Sequence, residues 1–341
     1  MATIEDVARA AEVSSSTVSY VLSGKRSISP PTRRRVEQAI AELGYRPHMG
    51  ARALASRRTS VIGLMAPLRS GVDVSVIMQF VAGVVSRAKE FEHDVLLLTQ
   101  DDIGGIERVA AGSMVDAIIV MDVEAEDRRI PTLGALKQPA VLIGLPREAD
   151  GLSCVDLDFE ATGRLAARHL RQTGHRDVAL IGSPPEVMAR HTSYADRVHR
   201  GFTAECDENA LTGTVEPCEP TPDGARTAVD ALLDRAPETS GFVVHNERAL
   251  PHVLDRLRER GRIVGRDTSV VAVCPHDTAL AQHVPMTSID IPGEVIGAVA
   301  VEMAMTRLDG THPSETRLLA PVLTERGSSA PGPYARAEVD V

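Results

Sequence analysis

The sequence predicts a small all-α helix-turn-helix head followed by an α/β body of two Rossmann-like lobes. Three observations carry that prediction. The first 46 residues hold three short helical stretches with a tight turn between the first two, TIEDVARAAEV and SSSTVSYVLSG. Beyond residue 60, short fully apolar strands alternate with amphipathic helices, and the pattern occurs twice. At 341 residues the chain exceeds one average core and suits two or three lobes.

Each element of the head has a local reason to form. Thr3-Ile4-Glu5-Asp6 has the form of a capping box, with Asp6 a weaker partner than Glu. Val7, Ala8 and Ala11 follow at helical spacing, and Glu12-Val13 makes the turn. Ser14 can cap a second helix from Ser15 to Leu22, whose apolar face is Val18, Val21 and Leu22. Ser15, Ser16, Ser19 and Tyr20 lie opposite that face and point outward. Short hydroxyls and a phenol there can contact base edges in a major groove. Ser29 before Pro30 reads as the cap of a third helix, in which Val36, Ile40 and Leu43 are expected to be buried and which Gly44 stops.

Charge divides the chain the same way. Residues 1–58 hold ten Lys and Arg against five acids, a net +5, which leaves 27 basic and 42 acidic side chains, a net −15, for the rest. Phosphate contact therefore belongs to the head, with Lys25, Arg26 and Arg33 to Arg35 around the second helix, and the acidic body should be repelled by nucleic acid. MATIEDVARA has no apolar core of a signal peptide, and no 18-residue apolar run exists. Four dispersed cysteines with no CxxC pair fit a reducing cytoplasm and neither a disulfide framework nor a zinc site.

In the body, VIGLMAP (61–67), DVLLLTQ, AIIVMD and AVLIGLP are strands of a first unit, with a helix over 74–92. VALIGSP, GFVVHNE and SVVAVCP repeat the theme. Ligands of open α/β sheets bind at the carboxyl ends of the strands, so a cleft between two such lobes serves both at once. Enzyme signatures are missing. VIGLMAPLRSGV carries no G-x-G-x-x-G, there is no phosphate-binding G-x-x-x-x-G-K-[ST] loop and no H-E-x-x-H, and neither Ser183 nor Ser193 sits in a G-x-S-x-G elbow. No enzyme, cofactor or metal site is expected.

The motifs T-I-x-D-V-A-x-x-A, V-S-x-x-T-V-S, T-R-x-R-V and L-G-Y-x-P fall in order over the first 47 residues. This stretch resembles the head of the lactose-repressor (LacI/GalR) family of bacterial transcription regulators. The resemblance continues through VDLDFEATGRLAARHLRQTGHRDVALIGSP and TSIDIPGEVIGAVAVEMA to about residue 325. It implies a dimeric, operator-binding regulator, here a repressor, whose periplasmic-binding-protein-like lobes close on a small effector. It implies that Ser15, Ser16 and Tyr20 set base choice, with Tyr20 where Arg is common. It further implies a hinge helix within 47–60 that folds when two copies meet in the minor groove, where Leu54 wedges into the operator and Arg52 meets phosphate; His48 stands where Asn is usual. Candidate DNA contacts are thus Thr3, Ser14, Ser15, Ser16, Thr17, Ser19, Tyr20, Lys25, Arg26, Arg33, His48, Arg52 and Leu54.

By the same analogy the chain crosses between lobes near Asp158, Ser288 and Pro321. That gives a head at 1–46, a hinge at 47–60, lobes at 61–158 with 289–320 and 159–288 with 321–330, and a loose tail at 331–341. The tail lacks a leucine heptad, which favours a dimer over a tetramer. His175 is expected to be structural. The effector loops depart from the family pattern, leaving Arg197, Asn246 and Asp277, then Tyr194 and Asp73, as candidate effector contacts. With no Trp and five Phe, ring stacking on a sugar is poorly provided. The alternative reading is an effector-independent repressor or architectural DNA protein with a vestigial sensor.

Overall fold

The computed structural model describes residues 2–23, 26–45, 58–69, 72–99, 103–310 and 312–335. The head is three helices, α1 (Ile4–Ala10), α2 (Ser15–Ser23) and α3 (Pro30–Leu43). They share one core of Val7, Ala8, Ala11, Val18, Val21, Val36, Ala39 and Tyr45. Leu43, expected inside, is 41% exposed, and Tyr45 takes its place in the core. The reason is the left-handed turn at Gly44 (φ 57°), which ends α3 and swings the next side chain back under the bundle. Ser29 starts α3 without a side-chain cap; its hydroxyl bonds the Thr32 hydroxyl at 2.9 Å instead.

The first lobe contains β1 (Val61–Met65), α4 (Val74–Glu90), β2 (Asp94–Leu98), α5 (Ile103–Ala111), β3 (Ala117–Val120), α6 (Ile130–Gly134), β4 (Ala140–Ile143) and β5 (Ser153–Leu157). α4 stops at Glu90, two residues short of the expected end. The second lobe contains α7 (Phe159–Gln172), β6 (Asp177–Gly182), α8 (Pro185–Ala189), α9 (Ser193–Glu208), β7 (Thr212–Pro217), α10 (Pro222–Arg235), β8 (Gly241–Val244), α11 (Leu250–Glu259), β9 (Ser269–Val273), α12 (His276–Leu280) and β10 (Thr287–Ile289). α13 (Gly293–Leu308) and β11 (Thr316–Leu319) then return to the first lobe, and β12 (Leu323–Thr324) closes the second.

The two sheets run β2-β1-β3-β4-β5-β11 and β7-β6-β8-β9-β10-β12. The pairings are parallel except for β12 on β10. In both sheets the first strand of the lobe lies inside, between the second and third. The connections therefore leave in opposite directions on its two sides, and the order reverses beside β1 and beside β6. The chain crosses from one sheet to the other after Leu157, after Ile289 and after Leu319. Ile289 still pairs with Val273, so the second crossing falls one residue later than Ser288.

Each lobe holds two helices in backbone contact. A Cβ on Gly83 of α4 would lie 2.1 Å from the Glu294 carbonyl of α13. In the second lobe a Cβ on Gly201 of α9 would lie 2.0 Å from the Glu160 carbonyl of α7. Glycine at these crossings lets the helices sit close enough to cover one face of each sheet. The chain end is not wholly loose. Gly332 N–H donates to the Thr173 carbonyl at 2.7 Å, and Arg176 covers the Tyr334 ring at 4.5 Å. Residues 331–335 of the expected tail are thus docked on the second lobe. No helix among the described residues is long and apolar enough to cross a membrane.

Candidate DNA interface and interlobe pocket

In the head, Thr3 and Asp6 complete both halves of the capping box. Asp6 N–H donates to Thr3 Oγ1 at 3.3 Å, and Thr3 N–H donates to Asp6 Oδ2 at 2.9 Å. The bonds from Thr3 hold the Asp6 carboxyl below its ordinary range. Ser14 accepts from Thr17 N–H at 3.2 Å, and its hydroxyl also meets those of Ser16 (2.8 Å) and Thr17 (2.9 Å). Val18 and Val21 of α2 are buried, Ser15, Thr17 and Ser19 are half-buried, and Ser16 and Tyr20 are exposed. The Arg26 guanidinium lies 5.7 Å from the Tyr20 ring centroid, a pairing that residue spacing alone did not suggest. Arg26 and Arg33 to Arg35 are exposed. Lys25, His48, Arg52 and Leu54 lie outside the described residues.

The body holds a cavity of about 120 Å³ between its lobes. It opens at the two places where strand order reverses. Ala66 and Pro67 follow β1, Met121 to Val123 follow β3, Ser183 and Pro184 follow β6, and His245 to Arg248 follow β8. Each reversal leaves a gap at the strand carboxyl ends, and the two gaps face each other.

One side of the cavity is closed by a latch between lobes. Ser193 N–H donates to the Val123 carbonyl at 2.9 Å, and Ala125 N–H donates to the His191 carbonyl at 2.8 Å. Arg190, from the second lobe, reaches Asp122 and Glu124 of the first, both at 3.1 Å. Arg69 meets the same two carboxylates from its own lobe, at 3.3 and 3.6 Å. Asp122 and His191 both have φ of 53°, left-handed backbone that few non-glycine residues adopt. Cross-lobe pairing holds them there.

Of the expected effector contacts, Asp73, Tyr194 and Asn246 line the cavity. Asp73 caps α4, accepting from Ser75 N–H at 2.8 Å. Tyr194 is wedged against Phe159 and His245, with ring centroids 5.8 and 5.7 Å away. Asn246 is largely committed inside its lobe: its amide donates to the Cys218 carbonyl at 2.7 Å and accepts from Ala249 N–H at 3.1 Å. Arg197 and Asp277 are not on the cavity wall. Arg197 is buried beneath it, donating to Asp156 Oδ2 at 2.8 Å and to the Leu157 carbonyl at 3.2 Å, where the chain first crosses between lobes. Burial pushes the Asp156 carboxyl up to about 7 although Arg197 pulls it the other way. Asp277 is exposed on α12 because Pro275 turns the chain away from the cleft after β9.

Residue patterns missed Phe80, Asp122, Asp156, Phe159, His245 and Glu247, all on the wall. A signal existed for three of them. Asp122, His245 and Glu247 each follow the end of a fully apolar strand beside a reversal of strand order, but choosing those strands requires the topology.

Comparison with known proteins fits both halves. Residues 3–48 match "Bacterial regulatory proteins, lacI family", and residues 167–329 match "Periplasmic binding protein-like domain". The HTH-type transcriptional regulator CelR of Thermobifida fusca is 30% identical over 340 residues, spanning 93% of this chain and 95% of CelR. The chain belongs to the LacI family of bacterial regulatory proteins. Like its relatives, this LacI-family protein is a DNA-binding transcription regulator and not an enzyme. A structure titled "transcriptional regulator CelR-cellobiose complex" is 28% identical and superposes with a TM-score of 0.69, covering 96% of this chain and 100% of that one. The fold is also that of the lac repressor dimer bound to operator and the anti-inducer ONPF, at 22% identity and a TM-score of 0.82, covering 96% and 99%.

Proposed function

We propose that this LacI-family regulator is a cytoplasmic, homodimeric repressor whose operator affinity is set by a small molecule in the interlobe cavity. The observation that carries the reading is that one cavity is walled by both strand-order reversals and closed by a latch between lobes. A ligand there touches both lobes, so it binds one relative placement of them better than another and biases the equilibrium between the two. The cellobiose complex of CelR and the operator complex of the lac repressor dimer support a ligand at one end and DNA at the other.

In this reading residues 1–46 read DNA, 47–60 form the hinge, and 61–158 with 290–320 make the lobe nearest the hinge. Residues 159–289 with 321–335 make the other lobe. Ser15, Ser16, Ser19 and Tyr20 face base edges; Arg26 and Arg33 meet phosphate, with Lys25 and Arg52 beside them. Thr3, Ser14 and Thr17 hold α1 and α2 in register with the backbone, and His48 and Leu54 work in the minor groove, Leu54 as the wedge that kinks the site. Asp73, Tyr194, His245 and Glu247 are the effector contacts, and Arg197 positions Asp156 from behind.

The test is fluorescence-anisotropy titration of the full chain on an operator selected from random DNA, at fixed salt. Leu54→Ala is expected to lose about tenfold or more in specific affinity while weak, salt-dependent binding persists. Equal specific affinity for the variant and the parent sinks the wedge. An operator affinity that no small-molecule extract or metabolite panel changes would sink effector control in favour of an effector-independent repressor.

A further inference from the structure

The cavity wall has two carboxylates, Asp73 and Glu247, that no cation among the described residues answers. Asp122 is answered by Arg69 and Arg190, and Asp156 by Arg197. The Ser193 hydroxyl is spent on the Leu145 carbonyl, and the Asn246 amide on its own lobe. Among the described residues, the Tyr194 and Ser183 hydroxyls meet one another, and what is left facing the cavity is mainly acceptor. Glu247 has only its own backbone N–H and faces the charge of Asp73 across the cleft. Asp73 uses one carboxylate oxygen to cap α4 and leaves the other. The His245 ring is 4% exposed, lines the cavity and has no hydrogen-bond partner among the described residues. The remaining cation on the wall, Arg248, is exposed to solvent.

We infer that the effector carries a protonated amine, held between Asp73 and Glu247 beside the His245, Phe159 and Tyr194 rings. This rests on the reading of the cavity as the effector site. A neutral polyol can donate to these carboxylates but brings no charge to offset theirs. An ammonium only donates. It also relieves the repulsion between two facing carboxylates, and the three rings, with centroids 5.7 to 5.8 Å apart, supply π faces for a cation.

The class makes a second, independent demand. Burial, then the charge of Asp73, pushes the Glu247 carboxyl up to about 7, with its own N–H acting the other way. Among the described residues, Asp73, Tyr194 and Cys274 face it from other elements, and none of the three brings a positive charge. Burial holds the Tyr194 hydroxyl and the Cys274 thiol un-ionised, and burial lowers His245 to about 4. An ammonium prefers ionised Glu247, so its affinity must rise with pH, by about tenfold from about pH 6 to about pH 8. A neutral ligand has no such requirement.

The experiment uses the full chain and matched probes: putrescine with butanediol, glucosamine with glucose, ethanolamine with ethylene glycol. Melting temperature and calorimetric affinity are read at both pH values, and operator affinity alongside. The expected result is that an amine binds and its neutral counterpart does not. Binding should tighten about tenfold with pH and be lost in Glu247→Gln, whose own melting curve shows it folded. A neutral member binding as well as its amine, or amine affinity flat with pH, overturns the cationic class and leaves the cavity as the effector site. No probe binding, with operator affinity unmoved by all of them, overturns the class and counts against the site as well.

Discussion

His175 shows how much one buried polar side chain can organise. Its Nδ1 meets the Ser240 hydroxyl at 2.8 Å, and its Nε2 meets the Ser269 hydroxyl at 2.8 Å and the Ala330 carbonyl at 3.2 Å. A carbonyl only accepts, so Nε2 carries the proton and Nδ1 accepts from Ser240. Burial lowers the pKa of the ring, which keeps it neutral. The ring therefore ties β8, β9 and the chain end together. His175→Ala takes away the Ser240 hydroxyl's partner, leaves Ser269 held only by Ala330, and opens a void, at a cost of about 3 kcal/mol. Urea denaturation with an unchanged midpoint would refute this. The GHR motif marks a histidine in the sequence, but its three partners lie 65 to 155 residues away, which no local pattern can supply. Arg197 illustrates the opposite error. An arginine near a ligand cleft reads as a ligand contact, yet both its terminal nitrogens hold the first crossing segment.

At the scale of elements, the glycine crossings set how the helices lie on the sheets. Gly201 and Gly163 face each other's helices in the second lobe, where an added Cβ would lie 2.0 and 2.2 Å from backbone carbonyls. Backbone cannot yield as a flexible side chain can, so Gly201→Ala must spread α7 and α9, costing about 3 kcal/mol. Gly134 on α6 has nothing within 4 Å of an added Cβ, so Gly134→Ala should be neutral or stabilise by up to about 1 kcal/mol. Thermal melts of the pair decide it; equal effects would remove the close-approach argument. Strand–helix alternation made the two lobes readable, because buried parallel strands are apolar along their whole length. The close crossings were not readable, because a glycine in a helix looks the same whether or not a partner helix faces it.

For the whole molecule, the latch across the cleft is the feature with most bearing on regulation. Arg190 is its cross-lobe cation, and Arg69 would still neutralise Asp122 and Glu124 without it. Arg190→Ala should therefore free the lobes without unfolding either. The amides of Ala125 and Ser193, which bond across the cleft, should exchange with solvent about tenfold faster, while Ile119 in β3 keeps its protection. Unchanged exchange at Ala125 would show that the latch does not hold the closed arrangement.

The sequence by itself determined the three-helix head, its cap at Thr3, its turn at Glu12-Val13, the exposure of Ser16 and Tyr20 on α2, and the alternation that makes two sheets. All of these depend on spacing within a few residues, where side-chain period and capping chemistry act. Only the tertiary structure decided which strands lie beside each reversal, that Asp122, Phe159, His245 and Glu247 meet around one cavity, and that Asp277 turns away from it. Those outcomes depend on contacts between segments up to about two hundred residues apart, formed when apolar faces pack, and no local signal encodes which faces meet.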